Sequence, residues 1–305
     1  MAETAVSQVE EIFRLVWKKQ KRNAKEIAAY VNDSSNVTTD LLDVLHPENS
    51  PVELSNLLRP VEIVYKGCTN DLQIEKAFTI EGRPGFIFIP NPFKSPQVQA
   101  QWINRFAVEY PVNGLSERNC LKSGQCNPLE DGIRWATLGF HYDWQNRKYT
   151  EGHQSPFPIA LEQLAQDICK SMGLSIVSET AIINYYRRKS TLGGHKDDAE
   201  WTDEAPVVAI SFGPAGVYVL GGDSHADPGP PAPVPLLVRN GDVVLLGGPS
   251  RMNVHGVPCM LPGTFPVEVE EQLSYPVAAF MKQTRINVNI RQVRPLIMSL
   301  LKRKF

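Results

Sequence analysis

The sequence predicts an α+β protein in which a helical N-terminal half packs around an antiparallel β-fold of the sandwich or barrel kind. Three observations carry this prediction. After residue 180 the chain breaks into short β-branched runs, AIINYY, VVAISF, GVYVL, PLLV, VVLLGG and RINVNIRQV, separated by Gly, Pro and Asn-Gly turns. Before it, apolar residues recur at helical spacing. The 305 residues, 42% hydrophobic and 21% charged, are enough for a sizeable core, and no convincing linker divides them.

Taken in order, Val9, Ile12, Phe13, Val16, Ala24, Ile27 and Val31 mark an amphipathic helix over residues 6–31 whose other face carries Lys18, Lys19, Lys21 and Arg22. That basic run reads most simply as a solvated face, with nucleic-acid contact or nuclear import as the alternative. GRPGFIFIPNPF, residues 82–93, holds a short apolar strand, Phe86 to Ile89, closed by prolines that cannot donate to a ladder. Ser95 and Pro96 supply the N-cap and first residue of a helix that buries Val98, Trp102, Ile103 and Phe106. Leu161, Leu164, Ala165, Ile168 and Met172 mark a further helix, and ADPGPPAPVP, residues 226–235, reads as an extended proline-rich loop.

Composition narrows the function classes. Lys+Arg is 31 against Asp+Glu 33, so the formal charge of −2 gives no global attraction for a polyanion, and any basic surface must be local. No apolar run approaches the roughly 18 residues of a membrane span, so no membrane partner is expected. MAETAVSQVEEIF lacks a secretory or transit pattern, so an intracellular address is expected, with nucleus, cytoplasm and mitochondrion all open. Cys68, Cys120, Cys126, Cys169 and Cys259 are odd in number and without close pairs, which fits reduced thiols better than a disulfide frame.

Two His and one carboxylate, leaving coordination positions open, form the facial triad of non-haem iron(II) oxygenases. A His-x-Asp pair on a strand sends both side chains to one face, where they can share an ion. With six His, chance supplies roughly 0.25 such pairs, and the chain has three: His141-Tyr142-Asp143, His195-Lys196-Asp197 and His225-Ala226-Asp227. His225 sits at the mouth of the proline-rich loop, where a ligand would be poorly held. His141 lies among aromatics with no nearby set of groups for an acidic cosubstrate. His195 has Asn184 and Tyr186 upstream, and His255 and RINVNIR downstream.

In RINVNIR, Ile286, Val288 and Ile290 alternate with Arg285, Asn287, Asn289 and Arg291, so one face is apolar and the other carries two guanidiniums and two amides. Such a face is usually solvent-exposed, but two arginines facing inward would make a strong carboxylate site. Their Cα atoms lie about 20 Å apart along a strand, so only side chains leaning inward could bracket a short dicarboxylate.

Together NYY at 184–186, STLGGHKD at 190–197, RMNVHGVP at 251–258 and RINVNIRQV at 285–293 resemble AlkB-type iron(II)/2-oxoglutarate dioxygenases, above all the AlkB homologue 1 branch. The resemblance implies a double-stranded β-helix, a form of jelly roll. It implies Fe(II) held by His195, Asp197 and His255, with 2-oxoglutarate and O2 as cosubstrates. Arg285 would bind the distal carboxylate of 2-oxoglutarate with help from Asn184, Tyr186 and Asn287, and Arg291 would lie nearer the chelating end or the target base. Trp135, Phe140, His141 and Tyr142 fall where the family places a nucleotide-recognition lid. Trp135 and Tyr142 have opposite parity, so a bend near Gly139 is required to aim both at one base.

The same resemblance implies a helical extension over 1–80, a dioxygenase domain over 81–293 with its recognition segment near 134–149, and a short basic tail over 294–305. Val254 stands where that branch carries Asn, and residues 117–132 are short and not basic, departures that bear on nucleic-acid preference. The implied activity is oxidative demethylation of a nucleobase, with N6-methyladenine in DNA and N1-methyladenosine or 5-methylcytidine in tRNA as alternatives. The substrate base would be single-stranded, bulged or flipped, and the protein a monomer. Phosphate contacts would come from Arg187, Arg188 and Lys189, or from Lys302, Arg303 and Lys304. The competing readings are an oxygenase acting on a protein or small molecule, and a catalytically silent jelly roll that binds.

Overall fold

A computed structural model describes residues 2–32, 44, 57–65, 71–112, 116–119, 129, 133–222 and 233–296. Its strands are β1 (Leu58–Pro60), β2 (Phe78–Ile80), β3 (Arg83–Ile89), β4 (Ser116–Asn119), β5 (Trp135–Gly139), β6 (Thr180–Arg187) and β7 (Leu192–His195). They continue as β8 (Val207–Phe212), β9 (Gly216–Leu220), β10 (Val234–Val238), β11 (Val243–Leu246), β12 (His255–Met260) and β13 (Thr284–Arg291). A nine-stranded sheet runs in the order β1-β2-β3-β11-β8-β13-β6-β5-β4, and a four-stranded sheet in the order β10-β9-β12-β7. The strand pairs are antiparallel, and the two sheets face each other across a cavity lined by both. This is the expected jelly-roll core.

Alternation along β13 decides which side is wet. Ile286, Val288 and Ile290 are fully buried on one face, against Trp102, Ile103 and Phe106 and against Leu161, Leu164 and Ile168. Those partners belong to helices α3 (Pro96–Asn104), prolonged by the π-turn Arg105–Glu109, and α4 (Ile159–Ser171). Each such side chain contributes about 1.5–3 kcal/mol on burial, which fixes the register of β13 and forces its arginines and asparagines to the opposite face. The predicted cap of α3 is present, with Ser95 Oγ accepting from Val98 N at 3.3 Å.

Two expectations need correction. The helix expected over 6–31 is two, α1 (Ala2–Arg22) and α2 (Ala24–Asn32), broken at Asn23, a residue of modest helix propensity. The break lets both Phe13 and Ile27 reach one cluster with Val217, Val219, Leu237, Cys259 and Leu261 on the outer face of the small sheet. The extension is also not helical throughout, because β1 and β2 within it widen the edge of the large sheet beside β3. Cys169 and Cys259 are buried free thiols, whereas Cys68, Cys120, Cys126, most of the proline-rich segment and residues 297–305 lie outside the described residues. No helix among the described residues is long and apolar enough to cross a membrane.

Candidate active site

His195 ends β7 and His255 begins β12, and the register sets them directly opposite each other. Asp197 follows two residues past His195, just beyond the strand, so its position comes from the chain leaving the sheet rather than from continued strand alternation. One ligand atom from each of the three lies within 4.8 Å of the others, the one group of this kind among the described residues. Each imidazole is oriented by a backbone carbonyl: His195 Nδ1 to Gly193 O and His255 Nδ1 to Asn253 O, both at 3.1 Å. A carbonyl only accepts, so each Nδ1 carries the proton and each Nε2 keeps a lone pair free to ligate, with an Asp197 carboxylate oxygen 3.7 Å away in both cases. This donor set fits a divalent iron with open positions.

The other pairs do different work. His141 is buried with Nδ1 2.9 Å from Thr137 Oγ1, while Asp143 accepts from Gln145 N, Asn146 N and Asn146 Nδ2 in its own turn. His225 and Asp227 lie outside the described residues.

A buried charge network holds Asp197. Arg291 Nη2 reaches Asp197 Oδ1 at 2.8 Å, and Arg291 Nη1 reaches Glu200 Oε1 at 3.0 Å. Arg251 completes the circuit, with Nη2 on Glu200 Oε2 at 2.9 Å and Nη1 on the Asp197 carbonyl at 2.6 Å. Burial raises the Asp197 carboxyl, but Arg291, His255, His195 and Arg251 outweigh it and pull its pKa down to about 2. Burial lowers His255 to about 4, which keeps the imidazole neutral and able to ligate. Arg291 is therefore at the metal end as expected, yet its guanidinium is committed to Asp197 and Glu200, so the two arginines do not bracket a dicarboxylate between them. Sequence reasoning missed Glu200 and Arg251, for which spacing carried no signal.

The far end of the cavity is built differently. Arg285 is buried beside Tyr186, its partner in the β13–β6 register, and spends Nη1 on the carbonyls of Pro214 at 3.0 Å and Val238 at 3.1 Å. Among the described residues no carboxylate forms an ion pair with it, and burial, partly offset by Asp242, lowers its pKa to about 10. Gly216 gives it room, since a Cβ there would lie 3.2 Å from Arg285 Nε. Asn287 and Tyr218 line the same cavity, and the Tyr218 hydroxyl is buried without a hydrogen-bond partner. Asn184 lies one strand out, between Asn287 and Trp135 in the register. A buried cation without an anion, an orphaned hydroxyl and a metal-type donor set in one cavity fit a small oxyacid that chelates the metal at one end.

The aromatic segment is only partly as expected. Gly139 makes the required bend at φ 70°, where a Cβ would collide with Glu179 O at 2.1 Å. Past the bend Trp144 bridges Trp135 and Tyr142, with ring centroids 4.9 Å apart in each pair. Phe140 and His141, however, are 2% and 5% exposed. Phe140 packs on Trp201 and under Arg294, and His141 against His153, so they support the segment from below and cannot stack on a base. Trp144, by contrast, is 46% exposed. The predicted phosphate clusters do not help: Arg187 lies at the end of β6 away from Arg291 and covers Phe280, and Lys302, Arg303 and Lys304 lie outside the described residues.

Comparison with known proteins agrees with this geometry. The 2OG-Fe(II) oxygenase superfamily matches residues 85–291. Nucleic acid dioxygenase ALKBH1 of Mus musculus is 30% identical over 263 residues, 72% of this chain and 66% of the mouse protein. DNA N(6)-methyladenine demethylase ALKBH1A of Arabidopsis thaliana is 31% identical over 309 residues, 80% of this chain and 88% of the plant protein. The solved structure of OsALKBH1 shares the fold, with a TM-score of 0.50 at 20% identity over 69% of this chain and 97% of that one. The chain thus spans just under two thirds of the mouse relative and most of the plant one, and it belongs to the 2OG-Fe(II) oxygenase superfamily, in its AlkB homologue 1 branch.

Proposed function

We propose that the protein oxidatively demethylates a nucleobase in DNA or RNA, acting as a monomer. The observation that carries this reading is the aromatic clamp of exposed Trp144 with half-buried Trp135 and Tyr142, whose Trp135 lies in the same large sheet as a cavity that holds the three metal-type donors and an unpaired buried arginine. His195, Asp197 and His255 hold Fe(II), and Arg285, with Tyr186 and Asn287 beside it, receives the distal carboxylate of 2-oxoglutarate. When bound, iron and 2-oxoglutarate together activate O2 for oxidation of a C–H bond, with succinate and carbon dioxide as co-products.

The chain's own residues do the rest. Arg291 and Arg251 keep the Asp197 carboxylate ionised and aimed, and the carbonyls of Gly193 and Asn253 keep both imidazoles in the ligating tautomer. Val207, Val217, Val244 and Leu246 line the cavity with apolar groups that exclude water. A base inside a duplex cannot reach such a site, so an unpaired or flipped base stacks on the clamp. A methyl hydroxylated on a base nitrogen is then lost as formaldehyde. The test is succinate formation from 2-oxoglutarate with iron(II), ascorbate and oxygen, across methylated and unmethylated DNA and RNA oligonucleotides, with His195→Ala as control. Methylated-base-dependent succinate, absent in the control, is expected; equal succinate without nucleic acid would move the substrate to a protein or small molecule.

A further inference from the structure

Helix α1 is seated at the mouth of the metal site. Phe13 is buried against two glycines, such that a Cβ at Gly194 would lie 2.5 Å from its Cε1 and one at Gly221 3.0 Å from its Cδ2. Gly194 immediately precedes His195, and Trp17 donates its Nε1–H to the Leu192 carbonyl of the same strand at 2.9 Å. This seat fixes which side of α1 faces outward. Arg14 and Lys18, one helical turn apart, stand exposed on one wall of an open groove. Lys196, between two of the metal-type donors in the chain, and Arg147 line the same groove.

Arg147 belongs to the turn closed by Asp143 and Lys148, directly after the aromatic clamp, where it adopts a left-handed φ of 53°. Asp198 is the acidic residue in the lining. His195 lines both the groove and the cosubstrate cavity, so the two adjoin at one of the metal-type donors.

We propose that this groove carries the phosphodiester backbone of a single strand whose base is held by the clamp and presented to the metal site. The proposal deepens the function given above and rests on it. A chain with formal charge −2 has no general attraction for a polyanion, so cations must be gathered where the strand runs. Among the described residues, Arg14, Lys18 and Arg147 line the groove together with Lys196 and Asp198. Gly193 adds open backbone to the groove wall, with nothing within 4 Å of where a Cβ would stand, which lets a strand approach there without displacing side chains. A small substrate fitting wholly inside the cavity would make no use of cations outside it.

The test compares Arg14→Glu/Lys18→Glu with Arg22→Glu/Lys25→Glu, an equal charge change on exposed residues outside the groove. Binding of a fluorescent single-stranded oligonucleotide is measured against salt, and turnover of a methylated oligonucleotide is divided by turnover of the free methylated nucleoside. Each single-strand phosphate contact contributes about 0.7 to the slope of log affinity on log salt, so the groove variant should be shallower by about 1.4. Its oligonucleotide-to-nucleoside ratio should fall at least about tenfold, and the control less than about twofold. Simple misfolding lowers turnover of both substrates together and leaves the ratio unchanged, so the ratio separates it from loss of the groove. Wild-type nucleic-acid turnover that the groove variant keeps, at an unchanged slope or with no more loss than the control, would overturn the groove and leave the function standing. Wild-type protein inactive on every nucleic acid would overturn both.

Discussion

Glu200→Gln isolates the charge that supports the metal site while preserving shape. The Glu200 side chain is 1% exposed and accepts one bond from Arg251 at 2.9 Å and one from Arg291 at 3.0 Å. Glutamine keeps one carbonyl acceptor, but its amide N–H₂ must then face the other guanidinium. One charge-assisted hydrogen bond worth about 1.5–3 kcal/mol disappears, and two buried cations are left with the single carboxylate of Asp197. Removing one member of a buried ion pair costs about 3–5 kcal/mol, so the isosteric change should cost about 3 kcal/mol. Urea unfolding of the metal-free protein, followed by tryptophan fluorescence, reads this directly. With a slope of about 3 kcal/mol/M the midpoint should fall by about 1 M. Iron(II) affinity, measured against a competing chelator, should fall about 10–100-fold because Asp197 loses an oriented neighbour. A midpoint within about 0.2 M of wild type together with unchanged iron affinity would refute the account of the network.

Three further outcomes are expected. Asp197→Ala should abolish succinate formation while circular dichroism stays native; residual succinate would place the metal carboxylate elsewhere. Arg285→Gln should raise the 2-oxoglutarate KM at least about tenfold, since a buried charge-assisted bond of about 1.5–3 kcal/mol is lost, and an unchanged KM would remove Arg285 from the cosubstrate site. Trp144→Ala should weaken binding of single-stranded oligonucleotides by about 1–3 kcal/mol, whereas Phe140→Leu should change base stacking little, and the reverse order in a fluorescence titration would invert the assignment of the clamp.

Most strands were legible because their β-branched runs, buried on nearly every residue, are bounded by Gly, Pro and Asn-Gly turns. The short runs at AIINYY, VVAISF, GVYVL and RINVNIRQV became β6, β8, β9 and β13, and the alternation in the last told correctly that Arg285 and Asn287 share a face opposite Ile286 and Val288. The choice of His195 over His141 was legible from the company each keeps. What spacing could not show were contacts assembled from distant elements. Glu200 meets Arg251 and Arg291, 51 and 91 residues away, and no local pattern marks it. Aromatic density located the clamp but not its inside and outside, which is why Phe140 was misassigned and Trp144 passed over. The apolar stripe of α1 was visible, but its seat on Gly194 and Gly221 was not, because a glycine that makes room for a ring looks like any turn glycine.

The seat of α1 also has a consequence for synthesis. The Cys259 thiol donates to the Gln20 carbonyl at 3.7 Å, a contact spanning 239 residues. At about 5–20 residues per second a ribosome takes roughly 10–50 s to make that interval. For most of it the stripe of Phe13, Val16, Trp17 and Ile27 has been made, while β9, β10 and β12, which will cover it, have not. Nascent polypeptide thus carries an uncovered apolar helix until β9 and the strands after it are made, and chaperone occupancy during translation should concentrate on that helix.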